Sequence, residues 1–107
     1  MMKVMMIAAL LLAPAIGVSA HPSIDIVVSN TKFLPSTIEL HVGETTTLRL
    51  TASEDGHSLE SADLGIPKTT IVPGTLTTIV VTPTKAGTFV VPCADHPEMT
   101  LTVKVLP

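Results

Sequence analysis

The sequence has very few aromatic residues and a single cysteine. Among its 107 residues there is no tryptophan or tyrosine, and only Phe33 and Phe89 are phenylalanine. The one cysteine, Cys93, cannot form an internal disulfide, although small secreted domains often rely on such bonds. A cysteine without an internal partner indicates an intermolecular bond, a reactive thiol or a metal site.

Basic residues are also scarce. The chain has six lysines and arginines and nine aspartates and glutamates. Without Lys3, which lies in the N-terminal segment discussed next, the net charge is −4 with histidine neutral. An acidic balance argues against nucleic acid and against an anionic membrane surface as partners.

The N-terminus has the pattern of a secretory signal peptide. Lys3 precedes an apolar run over residues 4–18, which Pro14 interrupts, and Val18 and Ala20 occupy the positions where small residues precede a cleavage site. The run is too short and too interrupted for a membrane-spanning helix, which needs about 20 apolar residues. We therefore expect residues 1–20 to be removed after Ala20.

What remains after this cleavage is one small domain. Residues 21–107 contain no linker, repeat or low-complexity tract, and their length fits a single domain. We expect a periplasmic or secreted monomer that is not inserted in a membrane after signal cleavage.

From residue 21 onward the pattern predicts an all-β protein. Valine, isoleucine, leucine and threonine alternate with polar residues, glycine and proline separate the segments, and no helical periodicity is present. Such short strands with turn residues between them are typical of a β-sandwich or barrel, with Phe33 and Phe89 in its core. About eight strands are predicted, over residues 24–28, 38–42, 48–52, 57–60, 69–72, 75–82, 88–91 and 100–105.

One loop near the C-terminus contains three side chains that bind soft metals. Cys93, His96 and Met99 lie within the stretch PCADHPEM, and Met99 is the only methionine outside the first six residues. Thiolate, imidazole and thioether ligands together favour copper, and two histidines, one cysteine and a weak methionine ligand define a blue copper site. His57, just after a predicted loop, is the candidate for the second histidine. Zinc could bind the histidines and the cysteine, but a thioether is a poor fourth ligand for zinc.

Each of these residues also has a plainer interpretation. A lone cysteine is often a small buried apolar side chain, and a lone methionine often fills a core. A cysteine–histidine pair could serve as nucleophile and base, but no oxyanion or substrate-binding motif accompanies it. His41 lies on the polar face of a predicted strand and is expected to be exposed. His21, the first residue after the predicted cleavage, could chelate a second metal through its amine and imidazole, although no further ligands are evident.

Three segments resemble the cupredoxins, the family of small blue copper proteins. These are FLPSTIELHVGETTTLRL, GHSLESADLGI and GTFVVPCADHPEMTLTVKV, which together cover most of residues 21–107. The spacing C-x2-H-x2-M is most similar to the ligand loop of amicyanin and plastocyanin-type members. Residues 57–74 also resemble the copper domain of cytochrome oxidase subunit II, but its binuclear site would need a second cysteine.

The resemblance implies a Greek-key β-sandwich or barrel that binds one copper ion per chain. His57, Cys93 and His96 would be the strong ligands and Met99 the weak axial ligand. The implied function is non-enzymatic transport of single electrons between redox proteins, such as a cytochrome or a copper or haem enzyme. A periplasmic copper carrier, or a factor for oxidase assembly, would use the same ligands, and an accessory domain of a larger redox complex is a third class.

The same resemblance predicts where electrons would enter and leave. By analogy with the family, the ring edge of His96 would lie nearest the surface. We expect an apolar docking patch around it, formed by Pro97, Leu64, Ile66 and Pro73.

Overall fold

A computed structural model describes residues 21–107 of the chain, and these residues fold into β-strands and connecting loops. The predicted signal peptide, residues 1–20, lies outside the described residues. Within the described part, no helix is long and apolar enough to cross a membrane. The strands are β1 (Ser23–Val28), β2 (Phe33–Leu34), β3 (Thr37–His41), β4 (Thr46–Ala52), β5 (His57–Ser61), β6 (Ile66–Ile71), β7 (Thr77–Val81), β8 (Gly87–Pro92) and β9 (Thr100–Leu106).

The nine strands form three hydrogen-bonded sheets. A four-stranded sheet has the order β2-β1-β4-β7, a three-stranded sheet has the order β3-β9-β8, and β5 pairs with β6 alone. Two neighbouring pairs, β1 with β4 and β3 with β9, run parallel, and the other pairs are antiparallel. Parallel neighbours cannot be joined by a tight hairpin, so the chain crosses between sheets before it returns. This confirms the predicted all-β sandwich.

Alternation of apolar and polar residues decides which face of each strand is buried. In β4, Leu48, Leu50 and Ala52 are buried while Arg49 and Thr51 are exposed. Each buried valine, leucine or isoleucine contributes about 1.5–3 kcal/mol when removed from water. The core is formed by such inward-facing residues of all three sheets: Ile26, Val28, Phe33, Ile38, Leu40, Leu48, Leu50, Leu59, Ile71, Val81, Val91, Leu101, Val103 and Val105.

The structure differs from the sequence prediction at two places. Phe33 and Leu34 form a short additional strand, and β6 begins at Ile66, inside a segment predicted to be irregular. Pro67 suggested a loop because proline lacks a backbone N–H, but an edge strand of a two-stranded sheet tolerates it. The pairing of β5 with β6 also shifts between Leu59 and Ser61, which breaks the simple alternation expected of a regular strand. Phe33 is fully buried, whereas Phe89 is partly buried against the core.

The two ends of the sandwich carry different loops. Residues 53–56, which precede β5, and residues 93–99, which join β8 to β9, form what we call the upper end. The turns at residues 42–45 and 82–86 form the lower end, where the Gly43 N–H donates to the carbonyl of Pro83 over 2.9 Å. Gly43 has a positive φ of 81°, which a side chain at this turn would disfavour. All four predicted metal ligands lie at or next to the upper end.

Candidate metal centre

His57 is held at the first position of β5. It pairs with Ile71 of β6, and its side chain is only 1% exposed although the loop before it is exposed to solvent. A buried imidazole is normally satisfied by hydrogen bonds on both ring nitrogens. The strand therefore places a polar ring inside the protein, directly beneath the upper end.

Cys93 is fixed by backbone contacts on both sides of its loop. Its residue forms an isolated antiparallel bridge with Leu59 of β5, and its N–H donates to the carbonyl of Met99 over 2.9 Å. The Ala94 N–H donates to the carbonyl of Ser58 over 3.0 Å. These bonds join the loop of residues 93–99 to the strand that begins with His57, and Cys93 is fully buried.

The side chains of His57 and Cys93 are in direct contact. The Nδ1 atom of His57 lies 3.5 Å from the Sγ atom of Cys93. Two ligands of one tetrahedral metal ion, with bonds of about 2.3 Å to sulfur and about 2.0 Å to nitrogen as in zinc sites, lie about 3.5 Å apart. The observed contact therefore suits two atoms that share a metal ion, and without metal it suits a weak hydrogen bond.

The other ring nitrogen of His57 has no partner. Nε2 is buried and makes no hydrogen bond within the described residues. A buried polar atom left unpaired costs about 1–3 kcal/mol. A histidine kept only for packing would be an expensive choice at this position, which supports a ligand role for its contact with Cys93.

His96 lies beside this pair but is nearer to solvent. The rings of His57 and His96 have centroids 5.6 Å apart and are tilted by 52°, and the His96 side chain is 44% exposed. Its Nδ1 atom lies 3.8 Å from Oε2 of Glu98, too far for a hydrogen bond. Short turns hold its backbone, since the His96 N–H donates to the Cys93 carbonyl over 3.2 Å. His96 therefore lies at the solvent side of the buried pair.

Met99 is the last residue of the loop of residues 93–99. It is 2% exposed and packs in the core cluster, and its N–H donates to the carbonyl of His96 over 2.8 Å. Met99 therefore contributes a buried thioether side chain to the ligand loop. Of the four predicted ligands, three are buried and one is half-exposed.

The predicted ligand side chains come close to one another only in part. Within residues 21–107, no three histidine, cysteine, aspartate or glutamate side chains are grouped closely enough to hold a metal ion by themselves. The structure brings His57 and Cys93 into contact and places the His96 ring next to His57. A site for a soft metal would therefore draw on Met99 as well, and it would require His57, Cys93 and His96 to lie closer together than they do here.

Two other predictions about the surface have different outcomes. His41 and His21 are exposed, as expected for His41 on the polar face of its strand. The predicted apolar patch is wrong in part, because Leu64 and Ile66 are buried in the core. Ile66 faces inward from β6, and the segment between β5 and β6 folds Leu64 under rather than outward.

Sequence reasoning missed two supporting contacts. Leu59 is fully buried and bridges the backbone of Cys93, and Ser58 accepts the hydrogen bond of Ala94. The apolar residue two positions after His57 was a usable signal for Leu59, because residues i and i+2 of a strand share a face. The role of the Ser58 carbonyl has no side-chain signal and could not be read from the sequence.

Comparison with known proteins places this geometry in a family. A sequence profile described as a Cupredoxin-like domain matches residues 2–103. A search of curated proteins finds no match. Three solved structures illustrate the likeness in fold, which is all that identities below 25% can show.

The periplasmic domain of subunit II of cytochrome oxidase from Bradyrhizobium japonicum matches with a TM-score of 0.70 and 16% identity, over 82% of this chain and 86% of that one. Auracyanin A, a blue copper protein from Chloroflexus aurantiacus, matches with a TM-score of 0.64 and 14% identity, over 80% and 99%. An amicyanin variant matches with a TM-score of 0.55 and 23% identity, over 85% and 89%.

The likeness also extends to a chain longer than this one. A chain of a heme-copper terminal oxidase dimer matches with a TM-score of 0.65 and 16% identity, and the match covers 64% of that chain. The profile match spans almost the whole sequence, and the fold likeness agrees with it. The chain belongs to the Cupredoxin-like domain family.

Proposed function

We propose that this protein is an exported type 1 copper protein that carries single electrons between redox partners. His57, Cys93 and His96 would be the strong ligands of one copper ion, and Met99 the weak axial ligand. The observation that carries the proposal is the buried 3.5 Å contact between Cys93 Sγ and His57 Nδ1, with the half-exposed ring of His96 beside it.

The residues around the candidate site suit electron transfer better than bond-making chemistry. Bound copper would supply a Cu(I)/Cu(II) couple that gains and loses one electron. The Cys93 N–H donates to the carbonyl of Met99, and Cys93 is also bridged to Leu59. Contacts of this kind hold the backbone of the loop in place, so little of it would have to move when an electron arrives.

His96 is the route by which a partner would reach the site. It is the one candidate ligand whose ring is open to solvent, whereas His57, Cys93 and Met99 are buried. A redox partner such as a cytochrome, or a copper or haem enzyme, would therefore dock over this ring. The fold likeness to a blue copper protein and to an oxidase domain supports partners of this kind. Weak redox encounters need only small interfaces.

The organisation of the chain forms part of the same proposal. Residues 1–20 would be a signal peptide, and residues 21–107 a monomeric copper domain in the periplasm or outside the cell. The known periplasmic domain among the similar structures supports this location.

The visible spectrum of copper-loaded protein tests the proposal. We expect one Cu(II) ion per chain and an intense thiolate-to-copper band near about 600 nm, as in blue copper sites. A colourless Cu(II) complex, or binding of zinc in preference to copper, would contradict it. Rapid self-exchange of electrons would support the carrier function, whereas Cu(I) transfer to a metal-free acceptor without self-exchange would favour the alternative, a copper carrier or assembly factor.

A further inference from the structure

The acidic residues of the protein are distributed unevenly. Residues 53–57 and 93–99, which contain all four candidate ligands, include no lysine or arginine. They contain four carboxylates, and all four residues are exposed: Glu54, Asp55, Asp95 and Glu98. These two loops therefore carry charge of one sign. The neighbouring loop of residues 29–32, whose Asn30 bonds to Glu54, adds a single positive charge, Lys32, at the same end.

Elsewhere the charges balance. The rest of residues 21–107 has five acidic residues (Asp25, Glu39, Glu44, Glu60 and Asp63) and five basic ones (Lys32, Arg49, Lys68, Lys85 and Lys104). Arg49 pairs with Asp25 over 2.8 Å, and Glu39 lies opposite Lys104 on neighbouring strands. The net charge of −4 on these residues is therefore the charge of the two upper loops.

These carboxylates are available to a partner. The side chains of Asp55 and Asp95 make no ion pair or hydrogen bond with any other described residue. Glu54 accepts a hydrogen bond from Asn30, and Glu98 lies near His96 without bonding to it. Asp95 is the residue directly before His96. A protein that contacts the exposed His96 ring must therefore meet Asp95 and Glu98.

Apolar residues also border this surface. Leu64 and Ile66, which were expected in a docking patch, are buried, and Ala94 and Pro97 are the exposed apolar residues of the ligand loop. Val72 and Leu76 are 50% and 44% exposed in the segment after β6, where the Gly74 N–H donates to the Ala52 carbonyl. Apolar contacts do not distinguish partners by charge, so the carboxylates set the sign of the partner's face. Facing charges of opposite sign speed association and oppose wrong partners.

We infer that the upper end docks a redox protein whose own cofactor is surrounded by lysine or arginine residues. The inference rests on the proposed electron-carrying function and adds to it the sign of the partner's face. An acidic partner would be repelled by four carboxylates at the point of contact.

The charge of the surface can be measured on ¹⁵N-labelled protein, with and without Cu(I). The paramagnetic cation hexaamminechromium(III) should broaden amide signals of residues 53–57 and 93–99 about fivefold more than those of the lower turns at 10 mM salt. Hexacyanochromate(III), an anion of the same size, should show no preference for the upper end. Even broadening by the cation across the surface would overturn the inference.

The protein partner is tested with a lysine-rich c-type cytochrome, before and after acetylation of its lysines. The native cytochrome should shift upper-end amides at 10 mM salt and release the protein at 0.5 M, since salt screens surface charge. The acetylated form has lost this positive charge and should bind at least about fivefold more weakly. Equal binding of both forms would overturn the inference.

Two matched pairs of substitutions distinguish the effect of charge at the upper end from the effect of the protein's net charge. Asp55→Asn with Asp95→Asn removes two charges from the upper end, whereas Glu44→Gln with Asp63→Asn removes two from other surfaces. The first pair should weaken binding of the native cytochrome at least about fivefold and the second less than about twofold. Equal weakening by both pairs would overturn the inference. Since binding is followed in metal-free protein too, a missing blue band would refute the copper proposal separately.

Discussion

Both ends of the sandwich carry histidine, but only the upper end has a histidine that is buried. His57 is 1% exposed and touches a buried thiol, whereas His21 and His41 at the lower end are open to solvent. The His41 carbonyl accepts a hydrogen bond from Glu44 in an ordinary turn, and its ring makes no hydrogen bond with another described residue. The difference between the ends is therefore one of environment and not of residue type.

The comparison shows what distinguishes a candidate ligand from a surface histidine. An exposed imidazole obtains its hydrogen bonds from water at no cost. His57 is buried away from water, and its Nε2 atom has no hydrogen-bond partner among the described residues. This cost, at a position beside the only cysteine, supports the proposed role of the His57 ring as a ligand.

Removal of the Cys93 thiol should give the largest effect. It should abolish the proposed copper site, which is what distinguishes the upper end from the lower end. In Cys93→Ser, we expect the absorption band near about 600 nm to disappear completely, because it requires a thiolate bound to copper. The matched change at the lower end, His41→Ala, should leave the band unchanged. Visible spectra of the two copper-loaded variants provide the measurement. A band that survives in Cys93→Ser would rule out Cys93 as a ligand.

Copper should raise the stability of the fold, and only the candidate ligands at the upper end should be needed for this effect. A metal that binds only the native state, at 1,000 times its dissociation constant, adds about 4 kcal/mol. For a domain of this size that corresponds to a rise in Tm of roughly 15 °C or more. Because the chain lacks tryptophan and tyrosine, unfolding is followed by far-ultraviolet circular dichroism.

Two histidine variants serve as the test and its control for copper stabilisation. His57→Ala should lose most of the rise in Tm, and His21→Ala should keep it. Loss of the rise in His21→Ala would instead show that copper binds at the N-terminal residue. The metal-free wild type should still fold, since its core is formed without the site.

Much of this architecture could be predicted because the signals are local. The apolar alternation of Leu48, Leu50 and Ala52 predicts an inward face whatever the rest of the chain does, and the structure agrees. The spacing of Cys93, His96 and Met99 is equally local, since a short loop must keep the three residues near one another. His57 was a candidate because it follows a predicted loop, but its contact with Cys93 joins residues that are distant in sequence and was not predictable from a local pattern.

What the sequence could not show depends on tertiary contacts. Ile66 and Leu64 were expected at the surface because Gly65 and Pro67 suggested an open loop, yet both side chains are buried. Their burial follows from the pairing of β6 with β5, which no local pattern encodes. The balance of charges away from the upper end likewise depends on cross-strand positions such as Glu39 opposite Lys104.

Loss of the buried Met99 side chain should cost more stability than loss of a partly exposed apolar side chain at the lower end. Met99→Ala removes a side chain that is 2% exposed and should cost about 2–5 kcal/mol in metal-free protein. Leu106→Ala, at a position already 37% exposed, should cost less than about 1 kcal/mol. Urea unfolding followed by circular dichroism gives both values. Met99→Leu keeps the volume and should cost less than about 1.5 kcal/mol, so a changed copper spectrum in that variant would report the loss of the thioether.

The smallest effect on stability should come from His96, the candidate ligand that is open to solvent. Its side chain is 44% exposed and makes no hydrogen bond with another described residue, and its backbone N–H bond to Cys93 does not depend on the ring. His96→Ala should therefore change the unfolding free energy of metal-free protein by no more than about 0.5 kcal/mol, the usual range for a surface substitution. The same variant should nevertheless lose most of the stabilisation by copper, because it removes one of the strong ligands. A large loss of stability in the metal-free variant would mean that the ring supports the loop mechanically. An undiminished gain from copper would mean that three side chains suffice, and that His96 only covers a site formed by His57, Cys93 and Met99.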